Sequence, residues 1–145
     1  MCPFGIFLDK NKYLNRDRMI ALLWTIRDKF AFSVLFTSSP QRYGDIFKPE
    51  FTFAIDRDSV SNLKKVRLVV QYLKNAHPNG INGQPIESLI VIDTQGSGDD
   101  SILRSFEFNE MINNINYDRV TAFLAVQNYH ALSAPVKDNY DFLVA

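Results

Sequence analysis

The chain has 145 residues, 46% of them hydrophobic and 22% charged, with 16 basic residues balancing 16 acidic ones. That is enough apolar matter for one domain with a real core and too much for an intrinsically disordered chain. Zero net charge gives no basis for nucleic-acid binding through bulk charge, although a local patch stays open, and a lone Cys2 excludes an internal disulfide.

The apolar stretch 3–8 is too short for a signal peptide or a membrane span and runs into Asp9 and Lys10. A soluble protein in a reducing, cytoplasmic setting is expected, with no membrane partner. Residues 4–8 suit a short strand, and 9–15 a polar connection. From Arg16 onward Met19, Leu22, Leu23, Ile26 and Phe30 recur at helical spacing, with Asn15 as the expected N-cap. Residues 32–37 read as a strand stopped by Ser38-Ser39-Pro40. A loop with Tyr43-Gly44-Asp45 and Pro49 leads to a second short strand over 51–55. Asp56 or Asp58 caps a helix whose stripe is Val60, Leu63, Val66, Val70 and Leu73, ending at His77-Pro78-Asn79-Gly80.

The stretch Ser88-Leu89-Ile90-Val91-Ile92-Asp93 carries the most information. An unbroken aliphatic run marks a strand buried on both faces, and ligands of open α/β sheets sit beyond the strands' carboxyl ends. A helix with Phe106, Met111 and Ile112 follows. Then come a buried-type strand over 120–126 ending at Gln127, a polar connection, and a last strand over 140–144. Strands alternating with helices predict a three-layer α/β sandwich with a mainly parallel sheet.

In a nucleotide-hydrolysing site Asp93 would hold Mg²⁺ through water. The ordinary explanation, that it ends a strand and caps a turn, stays open. Thr94 and Gln95 can position water but are poor bases. Gln127, ending the strand expected beside that of Asp93, could reach a γ-phosphate or the lytic water. Gly96-Ser97-Gly98 lacks a partnering lysine and reads as a turn. His77, His130 and Cys2 show no ligand or nucleophile pattern.

The order of these pieces resembles the FtsK/HerA-type genome-packaging ATPases of large double-stranded DNA viruses and their virophage or Maverick-like relatives. The matching pieces are the helix from Arg18 to Trp24, the strand ending Phe36-Thr37-Ser38-Ser39, and the aromatic segment from Phe47 to Phe53. The Asp93 strand, Glu110-Met111-Ile112, the strand ending in Gln127, and Lys137-Asp138-Asn139-Tyr140-Asp141-Phe142 complete the series. The resemblance implies a P-loop NTPase-like fold of the RecA/ASCE type, ATP and Mg²⁺ as cofactors, and Asp93 and Gln127 as catalytic residues. It puts Lys10, Lys12, Thr94 and Lys137 beside the nucleotide. It also implies double-stranded DNA, capsid or other motor subunits as partners, an oligomeric ring, and a host-cell or virion location.

The departures are systematic. Leu14-Asn15-Arg16 stands where the family has Gly-Lys-Ser/Thr, Asp93-Thr94 replaces the acid pair, and Asn116 falls where a candidate arginine finger belongs. Phosphate binding needs a glycine turn with converging N–H groups and a lysine charge, and 9–15 contains no glycine. Loss of an arginine finger alone costs about 10³–10⁵ in rate. A degenerate or truncated domain with little or no ATP hydrolysis is therefore expected; the final strand stopping at Val144-Ala145 also fits truncation. The alternatives are a non-enzymatic α/β interaction module and a flavodoxin-like domain holding a cofactor phosphate on Thr37-Ser38-Ser39 or Thr94-Gln95-Gly96-Ser97.

Overall fold

The computed structural model describes residues 2–10 and 13–145. Strands Phe4–Leu8 (β1), Phe32–Thr37 (β2), Thr52–Phe53 (β3), Ser88–Asp93 (β4), Val120–Val126 (β5) and Phe142–Val144 (β6) form one sheet. Its order is β3-β2-β4-β5-β1-β6, and every neighbouring pair is parallel. The helices are Leu14–Ile26 (α1), Ser59–Ala76 (α2), Phe106–Asn113 (α3) and Ala134–Asn139 (α4). This is the expected three-layer α/β sandwich with a parallel sheet.

Two apolar clusters lie on opposite faces of the sheet. On one, Met19 and Leu23 of α1 pack on Phe7, Leu35, Leu89, Val91, Phe123 and Ala125. On the other, Leu63, Val66 and Val70 of α2, Phe108, Met111 and Ile112 of α3, and Val136 of α4 cover Phe4, Ile6, Val34, Ile90, Ala122 and Leu124. The alternation of these strand residues between the clusters follows the pleat. Both faces being covered explains why β2, β4 and β5 are nearly continuous apolar runs.

The flavodoxin-like alternative fails on strand order. That fold sets its first strand beside its second and third, whereas β1 lies here between β5 and β6. Several local expectations are also corrected. Asn15 is inside α1 rather than at its N-cap, which is Tyr13. Leu22 is exposed, because a lone helix on that face needs only its Met19–Leu23 stripe against the sheet. Asp58 is at the N-cap of α2 without a side-chain bond; the Ser59 hydroxyl instead accepts from Asp56 N at 2.8 Å. The strand expected over 51–55 shrinks to Thr52–Phe53, since the turn Pro49–Phe51 precedes it. Ring packing supplements the short ladder: Phe51 meets Phe32 edge-on at 5.0 Å, and Phe53 stacks on Phe36 at 5.2 Å. Phe106 is exposed at the start of α3, and the polar connection after Gln127 contains α4. The last strand is Phe142–Val144 rather than 140–144.

Edge strand β6 is held by an aromatic that needs a glycine opposite it. A Cβ on Gly5 would come within 2.2 Å of the Phe142 ring, which packs edge-on against Phe7 at 5.8 Å. Gly5→Ala is expected to cost about 1–3 kcal/mol in urea unfolding. Adding Phe142→Leu should recover part of that loss; equal costs in both backgrounds would contradict this packing.

Candidate functional site

Because every strand pair is parallel, the carboxyl ends of β1, β2, β4 and β5 share one edge of the sheet. Thr37 is in register with Asp93, Asp93 with Ala125, and Leu8 with Val126. Pleat alternation then carries the α1-side rows one step past the core. Leu35 leads to Thr37, Val91 to Asp93, Phe7 to Asp9 and Ala125 to Gln127. Four polar residues thus extend the apolar face that Met19 and Leu23 cover.

Three of the four are buried, and they join a network with Arg16, Tyr43 and Gln95. Asp93 is 0% exposed. Its Oδ2 accepts from the Tyr43 hydroxyl at 2.7 Å, Thr37 Oγ1 at 3.4 Å and Arg16 Nη1 at 3.5 Å. Its Oδ1 accepts from Gln95 N at 3.0 Å. Asp9, directly after β1, receives Asn15 N on Oδ1 and Arg16 N on Oδ2, both at 2.9 Å. Gln95 Nε2 also donates to Asp9 Oδ2, at 3.2 Å, and to the Val126 carbonyl at 3.2 Å. The guanidinium of Arg16, 1% exposed, stacks on the Tyr13 ring with 4.1 Å between centres. Tyr43 is brought in by the turn Pro40–Tyr43, closed by Gly44 at φ +55, and rests against Phe47 at 6.1 Å.

Burial raises the Asp93 carboxyl above its usual value, although Tyr43, Arg16, Gln95 and Thr37 all pull it down. Burial and the neighbouring carboxylate push the Tyr43 hydroxyl far up, which keeps it a proton donor. A buried Arg–Asp pair adds little net stability, but removing one partner of such a pair costs about 3–5 kcal/mol. The network therefore fixes the edge's geometry more than it stabilises the fold.

The residues expected at a nucleotide site are only partly brought together. Asp93 and Gln127 are on adjacent strands at the same edge, but Asp93 is turned inward while Gln127 is exposed and accepts from Gly96 N at 3.5 Å. Thr94 and Gln127 share a cleft of about 200 Å³, and Lys10 shares a second, of about 430 Å³, with Gln127. Lys137, on α4, holds its ammonium over the Tyr129 ring at 5.1 Å. Lys12 lies outside the described residues. Asp9, Arg16 and Tyr43 are the residues that sequence reasoning missed as site members; Gln95, read as a residue that can position water, instead bonds both acids. For Asp9 the signal was present in its parity with Phe7.

ATP with Mg²⁺ does not fit this edge. The carboxylate expected to hold the metal through water has both oxygens engaged by the chain's own donors. The N-terminus of α1, where a phosphate would sit, holds the Asp9 carboxylate. At ~4 Å and an effective dielectric of ~20, each unit charge on an added phosphate would be repelled by about 4 kcal/mol. Among the described residues no group of three or more His, Cys, Asp and Glu could hold a metal ion.

No family model matches the chain, and no match is found among curated proteins. Among solved structures, the cytoplasmic domain of EssC is similar over 99% of this chain and 32% of its own, with 10% identity and a TM-score of 0.67. EssC (ATPases 2 and 3) from Geobacillus thermodenitrificans is similar over the same shares, with 10% identity and a TM-score of 0.66. The chain thus spans about a third of the EssC chains it matches. No described helix is long and apolar enough to cross a membrane. The chain shares its parallel α/β fold with these EssC structures.

Tyr43→Phe is expected to lower stability by about 1–3 kcal/mol in chemical unfolding, because it leaves the buried Asp93 carboxylate short of its closest donor. A change below about 0.5 kcal/mol would contradict that geometry. A second prediction concerns pH. The folded carboxyl of Asp93 is raised, so the native state binds its proton first. This contribution is complete below the unfolded value and is lost as pH rises through the folded one. The stability of the wild type relative to Asp93→Asn should therefore improve as pH falls from neutral towards the ordinary carboxylate range. An unchanging difference would count against a raised carboxyl.

Proposed function

We propose that this chain is an ATPase-like domain that keeps the scaffold of a P-loop motor without turning over ATP by itself. The reading is supported most by one observation: the Asp93 oxygens at the tip of β4 are engaged by Tyr43, Thr37, Gln95 and Arg16. Metal-assisted phosphoryl transfer needs that carboxylate free for Mg²⁺ and a lysine on the phosphates. The fold supports the motor scaffold, and the order of sequence pieces supports a viral DNA-packaging or translocation setting. In that setting the chain occupies a position in a ring with catalytically active subunits and contacts double-stranded DNA or capsid, with Gln127 and Lys10 on the exposed rim of the edge.

A second reading, an interaction module outside any motor, draws on α2. Its outer side exposes Leu68, Val69 and Tyr72, a stripe that neither sheet nor helix covers. Assembly into rings on double-stranded DNA, read by light scattering, favours the motor setting; a monomer indifferent to DNA favours the module.

Phosphate release from Mg-ATP, with and without double-stranded DNA, tests the absence of turnover. The wild type is expected to release phosphate no faster than Asp93→Ala or Gln127→Ala. A rate that falls by about 10²-fold or more in either variant would overturn the proposal.

A further inference from the structure

The edge does more than lack a nucleotide site: it carries its own substitute for one. Helix α1 is 13 residues long, and its N-cap residue Tyr13 makes no side-chain cap bond. The free N–H groups of the first turn are met instead by Asp9, from outside the helix. Its two oxygens take Asn15 N and Arg16 N at 2.9 Å each, the pattern in which a helix N-terminus holds an oxyanion. Asp9 is 5% exposed, and Gln95 Nε2 adds a third donor at 3.2 Å.

A cation stands in a matching place. Arg16 belongs to the same first turn and sends its guanidinium to Asp93, at the strand end where a metal would be gripped. One donor of this turn is left over. Arg16 Nε is buried with no hydrogen-bond partner among the described residues. Arg16 is 1% exposed and already touches Asp9 through its backbone N–H. A tetrahedral oxyanion offers more acceptor oxygens than a carboxylate, and Nε is a donor still open to one.

We propose that Asp9 is a built-in occupant of the oxyanion seat at the N-terminus of α1, and Arg16 the built-in cation facing Asp93. Together they replace the phosphate and the metal of a loaded site, so the edge is closed without any ligand. The proposal rests on the reading that the chain does not turn over ATP, and it explains why. It also makes the seat latent: removing the Asp9 carboxylate leaves two helix N–H groups and one Gln95 amide N–H without their acceptor.

The test compares wild type, Asp9→Ala and Asp9→Asn in thermal unfolding, with sodium pyrophosphate or inorganic phosphate against sodium chloride of matched ionic strength. Asp9→Ala should unfold at lower temperature than wild type and be raised by pyrophosphate by about 3 °C or more, while wild type moves by less than about 1 °C. Should Asp9→Ala fold too poorly to measure, Asp9→Asn keeps an acceptor for one helix N–H and should show the same anion response at smaller amplitude. Equal anion responses in wild type and variants, or none in either variant, would overturn the proposal. Calorimetric titration of wild type with pyrophosphate should give no saturable heat, and micromolar binding would also overturn it. Release of phosphate from ATP by the wild type is a separate readout and would sink the functional reading itself.

Discussion

The edge of the sheet is organised by one residue, Arg16, whose backbone N–H meets one buried carboxylate and whose guanidinium meets another. Arg16 gives its backbone N–H to Asp9 and its side chain to Asp93, which ties the start of α1 to the ends of β1 and β4. Buried charges are tolerated only when paired and hydrogen-bonded, so each further contact follows from the need to satisfy these three groups. Tyr43 and Thr37 serve Asp93, Gln95 serves both acids, and the first turn of α1 is capped by Asp9 rather than by its own N-cap residue. The arrangement formally carries one net negative charge, which adds to the obstacle facing a polyphosphate.

Each partner reaches this edge by a different route. Asp9, Asp93 and Thr37 come from strand ends, by the parity that sends every second residue towards α1. Arg16 comes from the helix that covers that face. Tyr43 comes from a turn after β2, and Gln95 from the turn after β4. The sheet order makes this convergence possible: β5 separates β4 from β1, so Asp93 and Asp9 stand on either side of one strand, and Gln95 spans the gap with bonds to Asp9 and to Val126 O. The edge thus brings two of the chain's own carboxylates together across one strand. The proposed loss of chemistry on a retained fold is what the separation of fold from site allows.

Much of the fold was legible because its central strands are covered on both faces. The stretches 32–37, 88–93 and 120–126 were read with the bounds that β2, β4 and β5 have. Elements whose ends depend on neighbours were less so. α4 has six residues, contains Pro135 and buries Val136 alone, so no periodic stripe announces it. β3 is set by pairing with β2 and by two ring contacts. At the site, Asp93 and Gln127 could be placed because strand ends are where ligands bind. Arg16 could not, since a lone arginine at the start of a helix reads as solvated until a buried acid is found 77 residues away. Tyr43 likewise stood in a loop, and only tertiary structure brings it to Asp93.

The central claim is that the first turn of α1 is already occupied by Asp9 and does not receive phosphate. The backbone amide resonances of Asn15 and Arg16 report on that seat directly. In a titration of the wild-type protein with Mg²⁺ and a non-hydrolysable ATP analogue, followed by ¹H–¹⁵N correlation spectra, these two amides should stay where they are. Saturable shifts of both, with a shared dissociation constant, would contradict the account.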